Sequence, residues 1–327
     1  MSSPGAGGTA LITGVSGQDG YYLSQLLLRN GIEVHGVPRA VLTEATALTD
    51  LVSTVAPDFV FHLAAVSSVP ASWQDPVTTS RVNGLCTVGL LDACVEAQDR
   101  IDKRIVVMNA SSWEIFAGSA DSPHTEETPL RPLSPYGASK AFGHTMCQVY
   151  RAKGLEVSNA ILYNHESPRR PEQFVTRKIT KAVAAIAAGR QDRLVLGDMT
   201  VARDWGWAPD YVDAMYRMAL HGKGDDFIVA TGTKHSVEEF VAAAFTAAGI
   251  ADWQEHVETD PDLWRPNDRA APVGDASKAR AVLGWRPTIG FDEIVKAMVS
   301  SDLRQEQDAC GENPRSRIRK TSPASES

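Results

Sequence analysis

This sequence predicts an α/β protein, a doubly wound parallel sheet with a smaller C-terminal substrate-binding domain, and three observations carry that reading. Apolar runs bounded by breakers recur at 10–13, 33–37, 59–63, 105–109 and 157–163, each followed by a helical stretch. Strands that alternate with helices pair in parallel through crossover connections. The first run ends in a glycine-rich turn, Gly14-Val15-Ser16-Gly17-Gln18-Asp19-Gly20, which leads into the helical pattern Tyr22, Leu23, Leu26, Leu27. From Asn164 onward the pattern loosens, with Pro168, Pro171, Pro209, Pro261, Pro266 and Pro272 breaking short elements, as in a smaller domain interleaved with the sheet.

Each element has its own signal. At the first strand-to-helix turn, Gly14, Gly17 and Gly20 permit a tight bend, a close backbone approach to a pyrophosphate and close helix packing. The helix N-terminus adds a favourable dipole there. This is the Rossmann-type arrangement, and it predicts a nicotinamide dinucleotide against the turn formed by Gly14, Gly17 and Gly20. The second strand is followed by Arg39, about 20 residues past the glycines, where an acidic residue would accept from a ribose 2′-hydroxyl and an arginine favours a 2′-phosphate. NADP is therefore expected; a solvated Arg39 returns NAD. A helix over 42–55 leads to the third strand, which ends at Leu63, Ala64 and Ala65. The fourth delivers Ser111, Ser112, Trp113 and Glu114, and the fifth delivers Asn164. In such sheets the ligand crevice lies beyond the C-terminal strand ends, where these residues fall. Helices are expected over 237–248 and 292–299. Beyond about Asp302 the chain lacks periodicity and reads as a flexible tail.

Composition bounds the function. The 327 residues are 43% hydrophobic and 22% charged, enough for a sizeable core. A net charge of −8 and a pI near 5.5 disfavour nucleic acid or a membrane surface as partner. No apolar run approaches the roughly 18 residues of a membrane span, and the start lacks a basic segment followed by an apolar one, so a cytoplasmic location is expected. Cys86, Cys94, Cys147 and Cys310 form no C-x-x-C pair and fit free thiols in a reducing compartment. No metal site is expected.

The chemistry rests on Tyr136 and Lys140. Their Y-x-x-x-K spacing puts both on one helix face, where the ammonium is expected to lower the phenol pKa toward neutrality and make it a base for an alcohol proton. The spacing alone also fits two side chains on a solvated helix; the glycine turn tips the reading toward a redox enzyme. Ser112 can hydrogen-bond the reacting hydroxyl, and Glu114 can remove a proton made acidic by a neighbouring ketone.

Four segments carry a resemblance: 10–20; Asn164-His165-Glu166-Ser167-Pro168-Arg169-Arg170; Phe174-Val175-Thr176-Arg177-Lys178-Ile179-Thr180; and Ala202-Arg203-Asp204-Trp205-Gly206. They resemble GDP-mannose 4,6-dehydratases, within the extended short-chain dehydrogenase/reductase family, and the likeness runs to about Val299. It implies that Ser112, Glu114, Tyr136 and Lys140 are catalytic. It implies that Gly14 to Asp19, Leu63, Ala64, Ala65, Ser67, His165 and Arg170 line the cofactor, and that Asn164, Lys178, Arg203 and Arg265 face a GDP-sugar. Three features depart from the family pattern. Trp113 stands in Ser112-Trp113-Glu114 where the family has Thr-Ser-Glu, removing a hydroxyl thought to assist departure of the C6 oxygen. The long loop after the second strand is missing, as in GDP-4-keto-6-deoxymannose reductases, which favours a homodimer. Arg39 replaces the acidic residue. The leading reading is a GDP-hexose 4,6-dehydratase with a recycled nicotinamide. A 5-epimerase or 4-ketoreductase on the same scaffold is the enzyme alternative, and a catalytically silent nucleotide-sugar binder the other. The expected division is 1–163 plus about 204–229 for the dinucleotide, 164–203 plus 230–300 for the nucleotide-sugar, and 301–327 as tail.

Overall fold

The computed structural model describes residues 7–263 and 273–311. Six parallel strands form its central sheet: β1 (Thr9–Thr13), β2 (Glu33–Val37), β3 (Phe59–His62), β4 (Val106–Ser112), β5 (Glu156–Leu162) and β6 (Asp226–Val229). They lie in the order β6-β5-β4-β3-β1-β2. In register, Ala10 of β1 sits between Val34 of β2 and Phe59 of β3. The chain runs outward from β1 to β2 and then crosses back to β3, so the topological switch, and with it the crevice, lies at the C-terminal ends of β1 and β3. Five strands coincide with the expected apolar runs. The sixth, only four residues long, was not expected as a strand.

Strand side chains alternate between two cores, as a period of two requires. Ala10, Ile12, Phe61, Met108 and Ala110 face one layer, built from Leu23 and Leu27 of helix α1 (Gln18–Arg29) and from Tyr211, Met215 and Ala219 of the Ala208–His221 helix. Leu11, Val60, Val107 and Val157 face the other, built from Leu48 and Val52 of α2 (Ala45–Val55), Leu90 and Cys94 of the Cys86–Ile101 helix, and Cys147 of the Pro135–Arg151 helix. Each valine, leucine, isoleucine, phenylalanine or methionine among them, fully buried, contributes roughly 1.5–3 kcal/mol.

A third core joins the Val175–Ala187, Val237–Ala247 and Phe291–Gly311 helices through Ile179, Val183, Phe240, Phe245, Ile294 and Met298. Ser236 and Glu239 form a reciprocal capping box that starts the second of these. The last helix continues to Gly311, beyond the point where the sequence reads as tail. Its continuation is held by Asp302, 2% exposed and ion-paired with the buried Arg177, and by Leu303 packed on the core. A charged residue in a polar run looks solvated until its partner, 125 positions away, is known. Residues 312–327 of the expected tail lie outside the described residues. Cys86, Cys94 and Cys147 are buried free thiols, and burial pushes Cys94 and Cys147 up to about 12. Among the described residues no helix is long and apolar enough to cross a membrane, and no group of His, Cys, Asp or Glu could hold a metal ion.

Candidate active site

The turn between β1 and α1 is built of backbone. Gly14 has φ +74°, and a Cβ there would lie 2.8 Å from the Ala64 nitrogen; one on Gly20 would lie 2.3 Å from the Gly14 carbonyl oxygen. The Gly17 N–H donates to that same carbonyl at 3.0 Å. Side chains at Gly14 and Gly20 would fill the cradle, so its composition fits a phosphate-bearing dinucleotide that approaches the backbone. Val15 packs over Gly36 of β2, where a Cβ would come within 2.8 Å of a Val15 methyl group.

Behind the cradle, hydrogen bonds tie the strand ends together. The Thr13 hydroxyl accepts from the N–H groups of Leu63 (3.1 Å) and Ala64 (3.0 Å), and so donates to His62 Nδ1 at 2.8 Å. His62 Nε2–H in turn donates to Thr87 (3.0 Å), whose hydroxyl donates to the Asn83 carbonyl (2.8 Å). Burial, with the nearby Lys140 charge, drives the His62 pKa down to about 3, consistent with this neutral tautomer. Asn83 holds Val66 by both backbone groups, accepting from its N–H at 2.8 Å and donating to its carbonyl at 3.0 Å, and also reaches Ser139 at 3.2 Å. It lies in a π-helical stretch, Arg81–Leu85.

The segment after β5 docks on the first turn of α1. Gln18 donates to the His165 carbonyl (3.1 Å) and accepts from the Ser167 hydroxyl (2.7 Å). His165 Nδ1 donates to the Tyr163 carbonyl at 2.7 Å, and its Nε2 faces the Asp19 carboxylate at 3.0 Å. Both ring nitrogens face acceptors, which favours the imidazolium. Burial opposes that charge, but Asp19 raises the His165 pKa; burial likewise opposes the Asp19 charge, and His165 holds its carboxyl below the ordinary value. The ring stacks on Tyr211 with centroids 4.6 Å apart. Arg170 pairs with the buried Glu166 at 3.2 Å and covers the Phe174 ring.

Tyr136 and Lys140 start the Pro135–Arg151 helix, which Ser134 caps by accepting from the Gly137 N–H at 3.0 Å. A Cβ on Gly137 would lie 2.7 Å from the Glu114 carbonyl oxygen, so its absence lets this first turn rest on the Ser112–Glu114 segment. Ser112 hydrogen-bonds the Tyr136 phenol, and the charges of Glu114, Arg170 and Asp19 all act on it. The expected lowering of the phenol pKa is corrected here. Burial pushes Tyr136 up to about 12, the Ser112 hydrogen bond pulls the other way, and the Glu114 carboxylate adds to the rise. Lys140 is buried, donates its Nζ to the Ala110 carbonyl at 2.8 Å, and is itself driven down to about 8 by burial.

Asn164 takes the indole N–H of Trp113 on its Oδ1 at 2.8 Å, and the Arg203 guanidinium lies 5.7 Å from the indole centre. Lys178 is exposed and donates to the Val195 carbonyl at 2.7 Å. Arg39 and Ser67 are exposed, Arg39 in the turn after β2, and Leu63, Ala64 and Ala65 line the chain after β3 half-buried. Arg265 lies outside the described residues.

Residues 39–298 match the family model described as GDP-mannose 4,6 dehydratase. GDP-mannose 4,6 dehydratase 2 of Arabidopsis thaliana is 42% identical over 324 residues, covering 90% of this chain and 86% of that protein. The chain belongs to the GDP-mannose 4,6-dehydratase family. The human member of this family is 36% identical over 90% of this chain and 91% of its own length. Among solved structures, RMD from Pseudomonas aeruginosa complexed with NADPH superposes with TM-score 0.80 at 26% identity, over 91% of this chain and 98% of that one. The UDP-glucose 4-epimerase of Thermus thermophilus in complex with NAD does so with TM-score 0.76 at 28% identity, over 90% and 98%.

Sequence reasoning missed Thr13, His62, Asn83 and the Trp113–Asn164 bond. Asn83-Gly84 inside a helical pattern was a readable signal, since both residues are poor helix formers and together mark a distortion. The other partnerships join residues 49 to 51 positions apart and leave no local trace.

Proposed function

We propose that the protein is an NADP-dependent GDP-mannose 4,6-dehydratase. The observation that carries this reading is the Ser112 hydrogen bond to the Tyr136 phenol, on a helix turn that rests on the Glu114 backbone, in a chain of that family. The residues that would hold the dinucleotide are Gly14, Val15, Ser16, Gly17, Gln18 and Asp19, with Leu63, Ala64, Ala65, Ser67, His165 and Arg170, and Arg39 toward the 2′-phosphate. When bound, the nicotinamide supplies a hydride acceptor for C4 and a donor for C6. Tyr136, as its phenolate, takes the proton of the C4 hydroxyl, which Ser112 orients; Lys140, one helical turn on, is the buried cation available to favour that phenolate. Glu114 removes the C5 proton, acidified by the new ketone, and passes a proton to the C6 oxygen, which leaves as water; reduction at C6 would then leave C5 to take a proton from solvent. Asn164, Lys178, Arg203 and Arg265 serve the diphosphate, for which fixed cations and amide donors are suited. In this reading 1–163 with about 204–229 form the dinucleotide part and 164–203 with 230–300 the sugar-nucleotide part.

The location is cytoplasmic and the assembly a homodimer. Support for the latter comes from exposed apolar side chains on one helix face, Phe142 and Val149, beside exposed Leu85. The Phe142 ring lies against Gly84, so the patch is continuous.

The test is to incubate purified protein with GDP-mannose in deuterated water, without added cofactor, and read the product by mass spectrometry and NMR. Loss of one water with deuterium at C5 is expected, and the Tyr136→Phe variant should lose about 100-fold or more in rate. Deuterium at C5 without loss of water would give a 5-epimerase instead, the outcome that Trp113 in place of a hydroxyl favours. An active Tyr136→Phe variant would remove the phenol from the chemistry.

A further inference from the structure

We infer that Trp113 is a positioning residue for the diphosphate: its indole fixes the Asn164 carboxamide so that the amide nitrogen, not the oxygen, faces the substrate. This rests on the nucleotide-sugar reading above. Indole nitrogen is a donor only, whereas a carboxamide offers an acceptor at one end and two donors at the other. The 2.8 Å bond from Trp113 Nε1 to Asn164 Oδ1 therefore decides which end is which, an assignment usually left open for an amide. The carboxamide nitrogen takes no acceptor among the described residues, and Asn164 is half-buried at the end of β5, in the crevice.

The indole is held in turn. Trp113 is 9% exposed and stacks on Tyr163 at 6.3 Å between centroids; Tyr163 is fixed by His124 through a 2.8 Å hydrogen bond. On its other contacts the Arg203 guanidinium lies 5.7 Å from the ring centre. Asn164 also pairs through β-bridging with Trp205, two residues past Arg203, so amide and guanidinium are carried on adjoining backbone. An N–H donor beside a cation selects an anionic oxygen, the chemistry of a nucleoside diphosphate. Without the indole, the carboxamide can turn its oxygen toward the phosphate, where it repels. The family's serine at this position has too short a side chain to set the amide in this way; here the side chain that departs from the family pattern organises binding and leaves the C6 oxygen to Glu114.

The experiment measures the affinity of the full-length protein for GDP, which carries the diphosphate but no sugar to turn over, by calorimetry. Trp113→Phe keeps a packed ring and removes the donor; it is expected to weaken GDP about tenfold, and Asn164→Ala by a similar factor. Because one acts through the other, the double variant should be no weaker than Asn164→Ala alone. Asn164→Asp, which keeps the acceptor for the indole, should keep the melting temperature and still lose more than tenfold in GDP affinity. Losses that multiply in the double variant, or a Trp113→Phe protein that binds GDP like its parent, overturn the inference alone. A parent that does not bind GDP overturns the nucleotide reading and this inference with it.

Discussion

Lys140 concentrates the conflict between stability and chemistry in one side chain. It sits 6% exposed, with one backbone carbonyl as hydrogen-bond acceptor, and burial lowers its pKa to about 8. A lysine whose folded pKa lies below its unfolded value opposes folding while it is charged. That opposition is fully present below pH 8 and fades as pH rises from about 8 toward 10.5. Lys140→Met is therefore expected to stabilise the protein at pH 7, by on the order of 1–3 kcal/mol, and to lose that advantage near pH 10. Thermal melts at the two pH values check it; an equal gain at both would show that packing, not charge, is responsible. Tyr136, Lys140, Ser112 and Glu114 were legible as candidates because the Y-x-x-x-K spacing and the place of Ser112 and Glu114 at a strand end are local facts. The direction of the Tyr136 shift was not, because it is set first by burial, which depends on how distant parts of the chain pack.

At the scale of elements, glycines decide how closely the pieces approach. Gly137 lets the helix bearing Tyr136 and Lys140 rest on the Glu114 backbone. Gly137→Ala puts a methyl group 2.7 Å from the Glu114 carbonyl and must push the first turn away. We expect a loss of about 1–3 kcal/mol in stability, as overpacking costs, and a fall in turnover larger than the rise in KM, since Glu114 and Tyr136 separate. Denaturant unfolding and steady-state kinetics measure the two; unchanged turnover would mean that their separation does not matter. Five of the six strands were readable from apolar runs. The helical stretches at 42–55 and 237–248 were readable from periodicity, whereas the π-helical turn at Asn83 showed only as an awkward Asn-Gly in a helical context.

For the whole molecule, the C-terminal helix is what the sequence understated. Polar composition after Asp302 reads as tail, yet Asp302 and Arg177 pair in the interior and clamp the last helix to the Val175–Ala187 helix. Asp302→Ala leaves the buried guanidinium uncompensated and is expected to cost about 3–5 kcal/mol. Chemical denaturation of the variant checks this, and a change below 1 kcal/mol would place the pair in the class of surface bridges. Removing residues from 301 onward should be as damaging. The Asn83 clamp on Val66 has a consequence at this scale too. Its carboxamide engages the N–H and the C=O of one residue as a neighbouring strand would, so the loop after β3 is already confined before any ligand arrives. The rotational freedom that a mobile loop would surrender on binding is surrendered here once, at folding, and affinity for the dinucleotide is not reduced by it.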